Sequence, residues 1–248
     1  YLVAEKDVGL YVAASRVSVM SVVLPNLIHS AFLPALSKAK GDDVAALAAA
    51  RNHARAVGFF GGAIGGVGML LAPAIIQVLF GPAYAGAEWS LIILMAHVMM
   101  FHLTQAYGTP LLAWQCDKPY TVILAVGAFV NIALNFLLIP SYGIVGAAAA
   151  TLVTQALIWL GLIALARKAF DINHNGLMLR ILLVTAVAVT AVWGMAKLVP
   201  SVTMAGAWAV LVAGGALYAL IYGALAIASG VISPAELRHL LNRSEANG

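Results

Sequence analysis

The chain reads as long apolar runs separated by short polar breaks, with no sustained alternation of period two. A helix needs about 20 residues to cross roughly 30 Å of hydrocarbon. Seven segments meet that length, at about 10–36, 56–80, 89–113, 119–139, 143–166, 177–199 and 204–229. Barrel strands would be about half as long and would alternate in polarity, so the pattern predicts helices. The expected fold class is an all-α integral membrane protein with about seven transmembrane helices.

Composition agrees with the pattern. Of 248 residues, 63% are hydrophobic and 9% charged, where soluble domains carry roughly 25% charged residues. The polar groups are too few to cover a surface in water. Charge placement then orients the spans. Lys38, Lys40, Arg51, Arg55, Lys118, Arg167, Lys168, Arg180, Arg238 and Arg243 fall on one side, and Lys6 and Lys197 on the other. By the positive-inside rule the first group marks the cytoplasm. The expected topology is therefore an external start and a cytoplasmic C-terminus. The sequence begins at Tyr1, and "YLVAEKD" carries no basic n-region with a cleavage site, so the start is expected to lie upstream. An odd span count from an external start then implies at least one further span there for a cytoplasmic N-terminus.

Two basic-side segments read as interfacial helices. "GDDVAALAAARNHAR" offers Asp42 and Asp43 as caps. "SPAELRHLL" has Ser233, Pro234 and Glu236 in a capping-box arrangement, followed by a stripe of Leu237, Leu240 and Leu241. Inside span two, Gly58, Gly62 and Gly66 repeat every fourth residue, and Gly61 and Gly65 repeat one step round. Such spacing lets helix backbones approach closely, for static packing or for sliding. Pro25, Pro34, Pro73 and Pro110 each remove a ladder hydrogen bond and are expected to kink their helices.

Polar groups at depth are the candidate chemistry, because each is expensive in hydrocarbon. Arg16 lies in "AASRVSVMSVVLPNLIHS", about 9–10 Å inside the boundary of its span. It can snorkel to the headgroups or face an aqueous cavity. On one continuous helix Asn26 would lie about 80° around from Arg16, with His29 beside Asn26. Asn131 and Asn135 share a face, as do His102 and Gln105. Each pair can line a cavity or bond to a neighbouring helix. Gln155 fits a bond between helices. Neither His97 nor His102 has a carboxylate or cysteine companion, and Cys116 is the single cysteine, which excludes an internal disulfide and disfavours a metal site. No Asp or Glu lies deep in any span, and no phosphate loop, "HExxH" or "GxSxG" occurs. The connecting loops are too short for a catalytic domain, and the basic residues form no nucleic-acid footprint. No enzyme activity and no cofactor is expected.

Four stretches in order carry a resemblance: "VGLYVAASRV" (8–17), "FLPALSK" (32–38), "IIQVLFGPAYAGA" (75–87) and "KPYTVILAVGAFVNIALNFLLIPSYGIVGAAAATLVTQ" (118–155). Together they resemble the C-terminal half of Wzx-type polysaccharide flippases, in the multidrug/oligosaccharidyl-lipid/polysaccharide exporter superfamily. That resemblance implies a fourteen-helix transporter of which the seven spans are the eighth to the fourteenth. Residues 1–166 would belong to the C-lobe, and 167–248 would form two terminal helices and an amphipathic tail. It also implies alternating-access flipping of undecaprenyl-pyrophosphate-linked oligosaccharide in the bacterial inner membrane, for lipopolysaccharide or exopolysaccharide synthesis. The expected associates are the lipid-linked substrate, membrane lipids and the polysaccharide polymerase machinery, around a monomer. Arg16 would face the cavity between lobes and pair with pyrophosphate or acidic sugars. Asn26, His29, Asn131 and Asn135 would serve sugar hydroxyls, and His102 and Gln105 are further candidates to line the cavity. The rivals are a multidrug exporter, a lipid-linked peptidoglycan-precursor flippase, a membrane glycosyltransferase, polymerase or ligase, and a membrane scaffold.

Overall fold

The computed structural model describes residues 4–198 and 206–232, the side chains of residues 24, 25 and 198 excepted. Its helices are α1 (Glu5–Ser21), α2 (Val23–Lys38), α3 (Asp43–Phe80), α4 (Glu88–Ala113), α5 (Asp117–Phe170), α6 (Asn175–Leu198) and α7 (Ala207–Ala228). A short 3₁₀ turn, Pro82–Ala87, joins α3 to α4. Helix is the solution that satisfies every backbone polar group within a segment in hydrocarbon. Among the described residues, six helical segments are long and apolar enough to cross a membrane, the longest being α5 at 54 residues.

That longest helix is two spans. Its backbone reverses at Gly143, where φ is 55° and ψ is −135°. Asn131 Nδ2 donates to Thr154 Oγ1 across the fold at 3.2 Å. A Cβ on Gly127 would sit 2.6 Å from Ile158, and one on Gly161 would sit 3.0 Å from Ile123. These partners run in opposite order along the two arms, so the arms are antiparallel and meet at one residue. Counted this way, the seven expected spans are present.

Two boundaries differ from the sequence reading. The first span is broken at Val22 into α1 and α2. The second is continuous with the segment read as interfacial, giving one 38-residue helix. Asp42 does cap it, accepting from the amides of Val44 and Ala45 at 3.1 and 3.0 Å. At about 1.5 Å per residue α3 is some 57 Å long, so it extends well beyond the hydrocarbon. The prolines at 34, 73 and 110 lie inside helices that continue through them. The Ser233–Leu241 tail lies outside the described residues.

The core is organised around α3, whose two glycine rows meet different neighbours. Gly58, Gly62 and Gly66 face α6 and α7, where Ile181, Tyr222 and Tyr218 occupy the space a Cβ would take. Gly61 and Gly65 face His102 and Met99 of α4. Tyr218 and Tyr222 donate to the carbonyls of Gly62 and Phe59, both at 2.8 Å. Apolar side chains gain little from leaving lipid, so close backbone approach and such hydrogen bonds must hold these helices together.

The turn at Gly143 gives a first expected result. Nothing lies within 4 Å of a Cβ built there, so space is no constraint, but its positive φ is. Gly143→Ala should destabilise the hairpin by about 1–3 kcal/mol, read as a lower thermal midpoint in detergent. An unchanged midpoint would mean that the turn relaxes without strain.

Candidate substrate-facing site

The basic residues gather at one end of the bundle. Lys40, Asp43, Trp114, Arg167, Lys168 and Asp171 all line one open cavity of about 520 Å³. Lys40 Nζ donates to Gln115, Trp114 Nε1 donates to the Leu36 carbonyl at 2.9 Å, and Arg180 reaches the Ser229 carbonyl at 3.5 Å. The α2–α3 turn, the α4–α5 turn, the α5–α6 link and the end of α7 therefore converge. In that link, burial and then the Arg51 charge push the His174 imidazole down to about 4, so it is neutral at neutral pH. Lys197 belongs to the other group of charges and lies over the Trp193 ring, 3.7 Å from its centroid.

Asn131 and Asn135 open onto a second cavity, of about 310 Å³, between α1 and α5. Val8 and Tyr11 of α1 close one wall, and Ile139, Ile144 and Thr151 of α5 line the other. Their shared face is the one the i, i+4 spacing predicts. Asn135 Nδ2 donates to the Asn131 side-chain oxygen at 3.0 Å and to its backbone carbonyl at 2.9 Å. With Asn131 tied to Thr154, the pair both pins the hairpin and keeps amide capacity for a ligand, because each amide can make about four hydrogen bonds. The two alternatives of cavity lining and inter-helix bonding are thus realised together.

Arg16 stands on the exposed side of α1, away from the buried Ala13, Ala14 and Ser18. It forms no ion pair among the described residues. Large apolar neighbours on the same open side include Val12, Val19 and Met20. Asn26 is likewise exposed. The break at Val22 interrupts the helical wheel, so the phase relation between Arg16 and Asn26 assumed for a continuous helix does not carry over.

The other candidates point inward. His29 Nδ1 lies 3.0 Å from His53 Nε2 and 3.0 Å from Thr109 Oγ1. His102 is fully buried, and its Nδ1 donates to the Val98 carbonyl at 2.7 Å. Gln105 is half-buried on α4 beside Gly108. Gln155 Nε2 donates to Thr104 Oγ1 at 2.7 Å, the expected bond between helices. The described residues hold no group of three or more His, Cys, Asp or Glu suited to a metal ion.

Sequence reasoning passed over His53, Tyr11, Thr109 and Thr151. His53 was legible: it lies among Ala50, Ala54 and Val57, the buried stripe of α3. Reading its segment as an interfacial helix hid that stripe. Tyr11 and Thr151 carry no such signal, because only the tertiary approach of α1 to α5 makes them neighbours.

No family model matches the chain. Over 170 residues, 63% of its length, it is 29% identical to the "Probable flippase AglR" of Haloferax volcanii. Over 93 residues, 35% of its length, it is 33% identical to the "Uncharacterized membrane protein MJ1068" of Methanocaldococcus jannaschii. These matches cover 34% and 17% of the two relatives, so the chain spans only a part of each. Among solved structures it resembles the "Lipid II flippase MurJ, inward closed conformation", with a TM-score of 0.65 and 15% identity. That match covers 86% of the chain and 46% of MurJ. The chain therefore has the fold of about half of a lipid II flippase, and part of its sequence is similar to that of a probable flippase.

Proposed function

We propose that this chain is the C-terminal half of a flippase that moves undecaprenyl-pyrophosphate-linked oligosaccharide from the cytoplasmic to the outer leaflet. The observation that carries the reading is the fold shared with about half of the lipid II flippase over 86% of the chain. The likeness to the probable flippase AglR supports a flippase. The sugar-polymer assignment rests on the stretches quoted above and on the polar groups at depth. On this reading residues 1–166 form the C-lobe, less its first helix, and 167–248 the terminal pair and tail. The basic end faces the cytoplasm of a bacterial inner membrane. Arg16 holds the anionic end of the carrier, and Asn131 and Asn135 serve sugar hydroxyls. Transport proceeds by alternating access, without covalent chemistry.

Deleting the whole gene should make lipid-linked oligosaccharide accumulate on the inner leaflet, with loss of the matching surface polymer. Complementation should reverse both. An unchanged lipid-linked pool would overturn the assignment. The MurJ fold favours one second reading, a peptidoglycan-precursor flippase. Accumulation of the precursor in place of a sugar-polymer intermediate would identify it.

A further inference from the structure

Helix α2 is a short rod held between two interruptions. One is the break at Val22, the other the turn through Gly41, whose φ is 95°. Its fully buried side chain is Leu36, whereas Val23, Leu27 and Leu33 are exposed. Most of its polar attachment to the bundle comes from one joint. His29 of α2 meets His53 of α3 at 3.0 Å and Thr109 of α4 at 3.0 Å. The two imidazole centroids are 5.2 Å apart, and the Phe32 ring stands edge-on to His53 at 5.5 Å. His53 is completely buried, and its Nδ1, like His29 Nε2, is buried without a partner.

The hydrogen-bond inventory makes this joint sensitive to proton count. A neutral imidazole has one N–H and one lone pair, whereas a protonated one has two N–H groups and no acceptor. With one proton between the facing nitrogens, His29 and His53 hold each other. A single added proton goes to one of the unpartnered outer nitrogens and leaves that bond in place. With both rings protonated, two N–H groups confront each other in a dry site, and the two charges repel. The other groups within electrostatic reach supply no negative charge. They are His102 on α4, His174 in the α5–α6 link, and Arg51 near His174. The Tyr107 ring of α4 lies tilted against His174, with centroids 5.6 Å apart, and feels Arg167. No carboxylate contacts the pair among the described residues.

We infer that the His29–His53 pair is a proton-binding site, and that protonating both rings releases α2 from α3 and α4. The turn at Gly41 and the break at Val22 let α2 move as a unit. This site stands whether or not the cargo is a lipid-linked sugar.

The test uses the intact protein in lipid nanodiscs, with Cys116→Ser and spin labels on Leu33→Cys and Leu47→Cys. Pulsed electron resonance would read the α2–α3 distance from pH about 8 to about 3, a range that reaches well below ordinary histidine titration. A longer-distance population should appear in acid. It should vanish in His29→Gln and in His53→Gln, and persist in His102→Gln and His174→Gln. An unlabelled-length distance that never changes with pH in the otherwise wild-type protein overturns the site. So does an acid response that survives in His29→Gln, or one abolished by His102→Gln or His174→Gln. If His53→Gln does not fold, the His29→Gln variant decides. The readout needs no cargo, so its failure would leave the flippase reading intact, and the converse also holds.

Discussion

Gly65→Leu is expected to separate α3 from α4 and to leave little folded protein after extraction into detergent. A Cβ at this position already lies 2.6 Å from Met99 Cβ, 3.0 Å from the Met95 carbonyl and 3.2 Å from Met99 Cα. These are backbone or backbone-anchored atoms, so no rotamer change clears them. Alanine alone should destabilise by about 1–3 kcal/mol through overpacking, and leucine by more. Gly194, with nothing within 4 Å of its Cβ position, is the control. Gly194→Ala should be neutral or should stabilise by roughly 0.5–1 kcal/mol, since alanine fixes helical backbone more cheaply than glycine. The measurement is the thermal midpoint followed by loss of the monodisperse chromatographic peak. A Gly65→Leu protein that melts with wild type would show that α3 and α4 do not approach as described.

Arg16→Ala should lower flipping by roughly 10- to 100-fold while leaving expression and thermal midpoint unchanged. A charge-assisted hydrogen bond to phosphate is worth about 1.5–3 kcal/mol, and each 1.4 kcal/mol is about tenfold. Arg16→Lys should recover part of the rate, because lysine keeps the charge but not the paired donors of guanidinium. The exposed position of Arg16, with no buried partner, removes the usual stability explanation for a loss. The assay is transfer of lipid-linked oligosaccharide in cells carrying the variant full-length gene. Normal transport by Arg16→Ala would mean that the side chain serves the headgroups instead.

What the sequence revealed follows a physical division. The spans were legible because hydrocarbon permits few backbone solutions, so length and apolarity suffice. The two glycine rows of α3 were legible for a related reason, as spacing alone decides which face can be approached. The break at Val22 was not. Its neighbours are ordinary helix residues in an apolar run, and nothing local marks a stop. The continuity of α3 from Asp43 to Phe80 was misread because Arg51 and Arg55 resemble a membrane boundary. They lie on a helix that outruns the bilayer. Among the site candidates, Asn131 and Asn135 were legible through their i, i+4 spacing. His29 was singled out for its polarity at depth, but its partners come from α3 and α4, far away in sequence. The i, i+3 relation to Asn26 pointed to the open side, whereas packing turned His29 inward.

The single-residue reversal at Gly143 bears on how the chain is threaded into its bilayer. Arms 117–142 and 144–170 are each long enough to cross alone, yet no linker separates them. The second arm follows the first directly, and the Asn131–Thr154 bond forms only once both are in place. The two are expected to insert as a pair. A reporter or protease site placed at Gly143 would disrupt that unit, whereas the three residues between α4 and α5 already separate independent helices. Topology mapping of this region should use that α4–α5 junction and the α5–α6 link, and leave the hairpin tip untouched.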